Sequence, residues 1–252
     1  MPYGTDAAHA MTTNLATPKR ALAIAAHADD IEFGCGGTFA KWAREGSEIF
    51  HLICTDGSKG SWDPTTDPAR LVAMRQAEQR EAARTLGGSA EVVFLGWPDG
   101  EIEPGLAQRR EIACWIRTIA PDVVLGHDPW LHYRLHPDHR AAGFLVTDGV
   151  VAARDPLFLP DLGLPPHRPR TILLFEAGTI DHVEDVSATI EVKIAALLQH
   201  RSQLRSTMAI PDEEANGGPG LDAFRARVRN EAAGVGAPYG FAAGEGFKLL
   251  EV

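Results

Sequence analysis

Short apolar runs alternate along the chain with longer segments that carry helical apolar spacing. Ala21–Ala26 is a continuous apolar run, as expected of a strand that is buried on both faces. Further strands are predicted at Glu48–Cys54, Glu91–Leu95, Asp122–Leu125 and Thr171–Glu176. Strands that alternate with helices are typical of a parallel sheet covered by helices on both faces.

The predicted helices fill the intervals between these strands and the end of the chain. They are expected at Thr38–Glu45, Ala69–Leu86, Leu106–Ile119, from Pro137 onward, Thr189–Arg201 and Leu221–Ala233. The sequence therefore predicts an α/β fold whose Rossmann-like sheet is mostly parallel.

Domain organisation is simple. Residues 1–19 have no periodicity and are predicted to be a flexible tail, and residues 20–252 are predicted to form one domain. Pro156–Arg170 holds five prolines in fifteen residues and is expected to run irregularly over the surface. No internal repeat or break in composition marks a second domain.

Composition narrows the function classes. The 252 residues carry a net charge of −10, which argues against a nucleic-acid partner. Their 44% hydrophobic content excludes a disordered chain, and no apolar run approaches the roughly 20 residues of a membrane helix. The three cysteines are odd in number and the first residues lack a signal-peptide layout, so a cytoplasmic protein is expected.

Ionisable residues concentrate where predicted strands end, the edge at which open α/β sheets bind ligands. His27 and Asp30 leave the first strand, and His136 and His139 form an H-P-D-H segment after the fourth. Each pair alone is explained by a hydrogen-bonded turn or a helix start. Together, at adjacent strand ends, they suit a zinc site with three protein ligands. Pro137 favours a helix start, whose positive end would keep His139 neutral and ready to bind.

Six short segments follow one another along the chain: AHADD with GCGGT (Ala26–Asp30, Gly34–Thr38), RQAE (Arg75–Glu78), LGWPDG (Leu95–Gly100), HPDH (His136–His139), KIAALLQHRSQ (Lys193–Gln203) and GEGF (Gly244–Phe247). Together these motifs resemble the PIG-L/LmbE-like zinc-dependent N-acetylglucosaminyl deacetylases. The resemblance covers roughly residues 20–250, in family order. Ala28 stands where the family usually has proline, a change that affects turn stiffness and no reacting group.

The resemblance implies a role for the residues of the two histidine motifs. His27, Asp30 and His139 would bind zinc, and Asp29 would act as the general base toward a metal-bound water that attacks an amide carbonyl. His136 would stabilise the oxyanion or protonate the leaving amine, and Asp138 would orient it. Asp138 could instead be an acid that favours the helix dipole.

Two further residues are candidates for substrate contact. In the resembling family the positions of Arg75 and Asp99 contact sugar hydroxyls. Arg75 could instead pair with Glu78 or Gln79 on its own helix, and Asp99 could belong only to an Asp-Gly turn. Trp130 in the loop before HPDH is a candidate pocket wall or a surface residue.

The resemblance implies a metal-dependent hydrolase that removes an N-acetyl group from an N-acetylglucosamine-type substrate. The partner would be a small amino-sugar conjugate, and zinc could be replaced by iron(II) with the same ligands. Three alternatives stay open: an amidase of a thiol-conjugate pseudo-disaccharide, a nucleotide-binding Rossmann domain and a non-catalytic metal-binding module. The acyl group, the aglycone and any homo-oligomer are undetermined.

Overall fold

Residues 11–87 and 92–252 are described by a computed structural model, and the following elements lie within them. The strands are β1 (Thr12–Thr13), β2 (Arg20–Ala25), β3 (Glu48–Thr55), β4 (Val92–Trp97), β5 (Val123–His127), β6 (Thr171–Phe175), β7 (His182–Asp185) and β8 (Gly244–Glu251). The α-helices are α1 (Asp30–Arg44), α2 (Pro68–Thr85), α3 (Leu106–Ile119), α4 (Pro137–Arg154), α5 (Ile190–Leu197) and α6 (Pro219–Gly236).

The strands form one sheet in the order β1-β7-β8-β6-β5-β2-β3-β4. Every pairing is parallel except those of β8, which runs antiparallel to both β6 and β7. The predicted α/β class with a mostly parallel sheet is thereby confirmed. From β2 the chain proceeds to β3 and β4 on one side and then returns to place β5 on the other. The carboxyl ends of β2 and β5 therefore flank the point where strand order reverses, which is where such sheets bind ligands.

Helices pack on both faces of the sheet, as the apolar pattern predicts. On one face Ile112 of α3 and Leu145 of α4 pack against Leu22 of β2. On the other face Phe39 and Trp42 of α1 are fully buried. Burial of a side chain such as Phe39 stabilises the fold by about 1.5–3 kcal/mol. The helices on these two faces hold the carboxyl ends of the strands in fixed positions.

The first helix begins eight residues before the predicted Thr38, at Asp30. The prediction placed a turn at the glycine-rich segment, yet these glycines lie inside the helix, which is kinked at Cys35. Close packing explains their presence: a Cβ on Gly34 would lie 2.5 Å from Cγ of Phe175, and one on Gly37 would lie 2.9 Å from Cβ of Val186. The glycines are covered by protein and are not arranged as a phosphate-binding loop, which disfavours the nucleotide-binding alternative.

Both ends of the chain depart from the sequence prediction. Thr12 and Thr13, expected in a flexible tail, pair with β7, while residues 1–10 lie outside the described part. Strands β7 and β8 were not predicted, because their short or glycine-led segments lack a long apolar run.

The predicted strand at Glu91–Leu95 starts outside the described residues and extends to Trp97 as β4. Helix α5 ends at Leu197 and a 3-10 turn follows, where a longer helix was expected.

Candidate metal centre and active site

The predicted site residues meet at the edge of the sheet where the strand order reverses. His27, Asp29 and Asp30 follow β2 directly, and His127 ends β5, the parallel neighbour of β2. His139 lies in the first turn of α4, which begins after the loop that leaves β5. The two halves of the predicted metal site are thus brought together by the pairing of β2 with β5.

The three predicted metal ligands approach one another closely. His27 Nδ1 lies 3.2 Å from His139 Nε2. The carboxylate of Asp30 spans both rings, with Oδ2 3.4 Å from His27 Nδ1 and Oδ1 3.3 Å from His139 Nε2. Neighbouring ligand atoms around a tetrahedral zinc ion at about 2.0–2.1 Å are about 3.3 Å apart. Two imidazole nitrogens and a carboxylate at these separations fit zinc, and they also fit iron(II).

The charge around His27 favours a bound cation. Its Nε2 lies 3.2 Å from Asp138 Oδ2 and 3.3 Å from Asp99 Oδ1, while Asp30 faces its Nδ1. Burial opposes a charge on this ring, yet the contacts with Asp138, Asp30 and Asp99 raise the pKa of His27 to about 11. The buried carboxylates therefore require positive charge beside them, which a proton on His27 or a divalent cation at Nδ1 can supply.

Asp29 occupies a strained turn and presents a free carboxylate oxygen. It caps α1 with a left-handed φ of 96°, and its backbone N–H donates to Gln79 Oε1 at 3.0 Å. Its side chain is buried, and within the part of the chain that is described Oδ2 has no hydrogen-bond partner. Burial raises the pKa of Asp29 to about 6, against the opposing charge of Arg75. A carboxylate in this state is suited to accept a proton near neutral pH.

A cavity of about 460 Å³ joins these groups. Its volume is within the range of small-molecule sites. Among its lining residues are seven of the eight predicted site residues: His27, Asp29, Asp30, Arg75, Asp99, His136 and His139.

A family model described as "PIG-L: GlcNAc-PI de-N-acetylase" matches residues 22–150, a range that contains both histidine motifs of the site. The chain belongs to the PIG-L family.

Two curated relatives and one solved structure match most of the chain. The diacetylchitobiose deacetylase of Thermococcus kodakarensis is 37% identical over 188 residues, which cover 73% of this chain and 70% of the relative. A 1D-myo-inositol 2-acetamido-2-deoxy-alpha-D-glucopyranoside deacetylase of Saccharopolyspora erythraea is 28% identical over 73% of this chain and 83% of the relative. The solved structure of N,N'-diacetylchitobiose deacetylase from Pyrococcus horikoshii superposes with a TM-score of 0.82 and 32% identity, and covers 93% of this chain and 84% of that one.

In this PIG-L protein Asp138 contacts a different histidine from the one expected. It was predicted to orient His136, but its carboxylate lies 3.2 Å from Nε2 of His27. It also accepts the backbone N–H groups of Gly100 at 2.6 Å and Ile102 at 3.1 Å, and it is fully buried. The geometry therefore assigns Asp138 to orienting His27, as carboxylates commonly orient metal-binding histidines. The HPDH spacing could not show this, because the contact comes from the fold.

His136 stands at the mouth of the cavity as the cap of α4. Its ring is exposed, stacks on that of His139 at 4.8 Å between centroids and meets the ring of His27 edge-on at 4.6 Å. Partial burial and the neighbouring charges of His27 and His139 lower the pKa of His136. The side chain is therefore free to contact a ligand, and its lowered pKa favours the neutral ring, in which one nitrogen still carries an N–H donor.

Arg75 and Asp99 line the cavity through contacts that neither sequence interpretation anticipated. Arg75 donates from Nη2 to the carbonyl of Ala28 at 2.8 Å and from Nη1 to that of Gly57 at 3.2 Å. Asp99 accepts the backbone N–H of Lys59 at 3.0 Å. Both residues thus support the backbone of the cavity wall, and both remain positioned to reach a ligand.

Sequence reasoning missed one residue beside the candidate metal centre. His127 is fully buried, with Nε2 3.2 Å from Asp30 Oδ2 and Nδ1 2.9 Å from Glu176 Oε2. Its place at the end of an apolar strand was the available signal. Trp130 lines a separate cavity.

The structure also admits other ligand sets at this centre. One donor atom from each of three residues lies within 4.8 Å of the others in the sets His27–His136–His139, Asp30–His127–His139 and His27–Asp99–Asp138. In the predicted set the carboxylate of Asp30 spans the imidazoles of His27 and His139, and in the second of these sets the same carboxylate spans those of His127 and His139. His127 contacts Asp30 and stacks on His139, Asp138 contacts His27, and neither residue lines the cavity, so both fit an orienting role better than a ligand role.

Among the described residues, no helix combines the length and the apolar character that a bilayer crossing requires.

Proposed function

We propose that this protein is a metal-dependent amide hydrolase that removes an N-acetyl group from an N-acetylglucosamine-type substrate. One observation carries the proposal: the buried carboxylate of Asp29, with a free oxygen, lines the same cavity as the His27–Asp30–His139 cluster. A base beside a cation site is the arrangement that amide hydrolysis by water requires. The names of the two relatives, both deacetylases of amino sugars, support the substrate class.

His27, Asp30 and His139 would hold the metal ion. When bound, zinc or iron(II) supplies a Lewis acid that polarises the amide carbonyl and acidifies water. The donor set of two imidazoles and a carboxylate accommodates either ion, and zinc is the one we propose. Asp138 and His127 would keep His27 and Asp30 in position.

Asp29 would take a proton from the attacking water. The C–N bond then breaks, the acetyl carbon keeps the water oxygen as acetate, and the proton moves to the leaving nitrogen to give the free amine. His136, at the mouth of the cavity, would stabilise the negative charge that develops on the carbonyl oxygen or pass a proton to the amine. Arg75 and Asp99 would contact sugar hydroxyls from the cavity wall.

The experiment that tests this proposal is acetate release from N,N'-diacetylchitobiose by zinc-loaded protein. Equal amounts of acetate and free amine are expected, and Asp29→Asn is the matched variant that keeps the shape of the side chain. A metal-loaded protein that releases acetate from neither diacetylchitobiose nor N-acetylglucosaminyl-inositol would refute the proposal.

Metal content tests the proposed metal ion and its ligands. Mass spectrometry of protein purified without chelator is expected to find about one zinc or iron ion per chain. The His27→Ala/His139→Ala variant should have lost it. Equal metal in both proteins would exclude the proposed ligands.

We further propose that the protein works in a reducing compartment such as the cytoplasm, because Cys35, Cys54 and Cys114 are all unpaired.

A further inference from the structure

The cavity of about 460 Å³ that holds the proposed metal ligands and base is called the catalytic cavity below. A second cavity, of about 400 Å³, lies beside it. Its lining is polar apart from one tryptophan and consists of Ser61, Trp62, Asp63, Thr66, Ser202, Arg205, Ser206 and Asp212. None of these residues takes part in the chemistry described above.

The two cavities share one wall along the loop between β3 and α2. Lys59 and Gly60 of this loop line the catalytic cavity, while Ser61 and Trp62, which follow immediately, line the second one. A molecule that extends out of the catalytic cavity over this loop would therefore lie next to the second cavity.

The segment after α5 forms a second shared wall. Gln203 and Thr207 line the catalytic cavity, whereas their neighbours Ser202 and Ser206 line the second one. Gln203 Nε2 donates to the carbonyl of Gly60 at 3.2 Å and ties the two walls together. The cavities are therefore adjacent compartments with a common boundary.

Hydrogen bonds hold the second cavity in shape. Glu78 of α2 accepts both the backbone N–H of Ser202 at 2.8 Å and its hydroxyl at 2.6 Å. In the loop, the hydroxyls of Ser61 and Thr66 lie 2.8 Å apart, and Asp63 accepts the N–H of Thr65 at 2.8 Å. A cavity that is formed in advance binds a ligand at a lower entropic cost.

The chemistry of this lining suits a sugar ring. Trp62 is 81% exposed, which leaves its indole face open to stack on the apolar face of a ring. Arg205 and Asp212 are also exposed and lie 3.7 Å apart, so that both can bind vicinal hydroxyls. The lining carries two carboxylates, Asp63 and Asp212, and one guanidinium, Arg205. This excess of negative charge disfavours the binding of a phosphorylated ring.

We propose that the second cavity is a subsite for an uncharged sugar or cyclitol ring joined to the N-acetylglucosamine unit, with Trp62 as its stacking platform. The inference rests on the proposed function, because it places the acetamido ring in the catalytic cavity. The substrate then has at least two rings, and Trp62 contributes to the choice of the second.

Kinetics on one-ring and two-ring substrates test the subsite. Trp62→Ala should raise KM for N,N'-diacetylchitobiose about tenfold, with little change in kcat and none in the kinetics on N-acetylglucosamine. Trp62→Phe should recover most of the loss, because an aromatic face remains. Trp130→Ala is the matched control, since Trp130 is 55% exposed and lines a separate cavity.

Calorimetric titration of the Asp29→Asn protein with diacetylchitobiose provides a readout without turnover. Binding that is weakened by Trp62→Ala but not by Trp130→Ala supports the subsite. This result stands even if the unsubstituted protein releases no acetate, and then only the proposed function fails. Acetate release with equal KM changes on both substrates, or with none, overturns the subsite and leaves the proposed function standing.

Discussion

Gln79 accepts the backbone N–H of Asp29 at 3.0 Å, at the residue where the chain turns from β2 into α1. The other end of the Gln79 amide donates to Glu32 Oε1 at 2.8 Å, and Glu32 Oε2 lies 3.2 Å from Nε2 of His200. All four residues are buried. This chain of contacts holds Asp29 at a left-handed φ of 96°, a conformation that is unfavourable for a residue other than glycine.

Replacement of Gln79 by Met should therefore misplace the proposed base. We expect kcat on diacetylchitobiose to fall about tenfold and the free energy of unfolding to fall by about 1–3 kcal/mol, because the Asp29 amide and Glu32 lose a buried partner. Metal content should not change. Gln76→Met, on the same helix and partly exposed, is the control, and an unaltered kcat in Gln79→Met would show that this contact does not position the base.

Asp29→Asn should abolish most turnover without removing the metal. We expect a loss in kcat of about 10²–10⁴-fold, the usual contribution of a general base. Since burial raises the pKa of Asp29 to about 6, kcat/KM of the unsubstituted protein should decline as the pH drops through that region. Rates measured from pH 5 to 8, with metal content determined in parallel, test both expectations. Full activity in a metal-replete variant would contradict the assignment.

Asp138→Asn should weaken metal binding. The carboxylate of Asp138 orients His27 and accepts two backbone N–H groups, so a neutral amide loses both charge and an acceptor. We expect the affinity for zinc, measured by competition with a chelator, to fall about 10–100-fold. Asp148→Asn, an exposed position on the same helix, is the control. Unchanged affinity together with a reduced kcat would favour the original expectation that Asp138 serves His136.

The stability of the metal-free protein should depend on the ionisation of His27. The pKa of His27 is raised to about 11 in the folded chain, against about 6.5 for an unfolded histidine. Its contribution to stability is therefore complete below pH 6.5 and is lost as the pH rises through 11. Urea unfolding in excess chelator should show lower stability at pH 10 than at pH 7, and His27→Gln should show a smaller difference. A pH difference that persists in full in the variant would assign it to another group.

His136→Ala and His139→Ala should separate the two histidines of the HPDH motif. We expect His139→Ala to lose the metal together with activity, because its Nε2 faces both His27 and Asp30. His136→Ala should keep the metal and lower kcat, since its ring is exposed at the cavity mouth. Metal analysis and acetate release on both variants are the measurements, and loss of metal from His136→Ala alone would reverse the two roles.

The sequence by itself determined the alternation of strands and helices and the concentration of ionisable residues at strand ends. It did so because a strand buried on both faces must be apolar throughout, so that polar residues fall where it ends. The motifs at His27–Asp30 and His136–His139 are short and continuous, and for this reason the proposed metal ligands and base could be chosen without a structure. The α/β class followed from the same pattern.

Only the tertiary structure decided which side chains face one another across the sheet. Asp138 turns toward His27, and His127 supports Asp30, because β2 and β5 are neighbours although they lie about a hundred residues apart in the chain. The late strand β8 and the early start of α1 likewise depend on packing against β6 and Phe175. Such contacts arise from strand order and close packing, and local patterns of apolar and polar residues do not encode them.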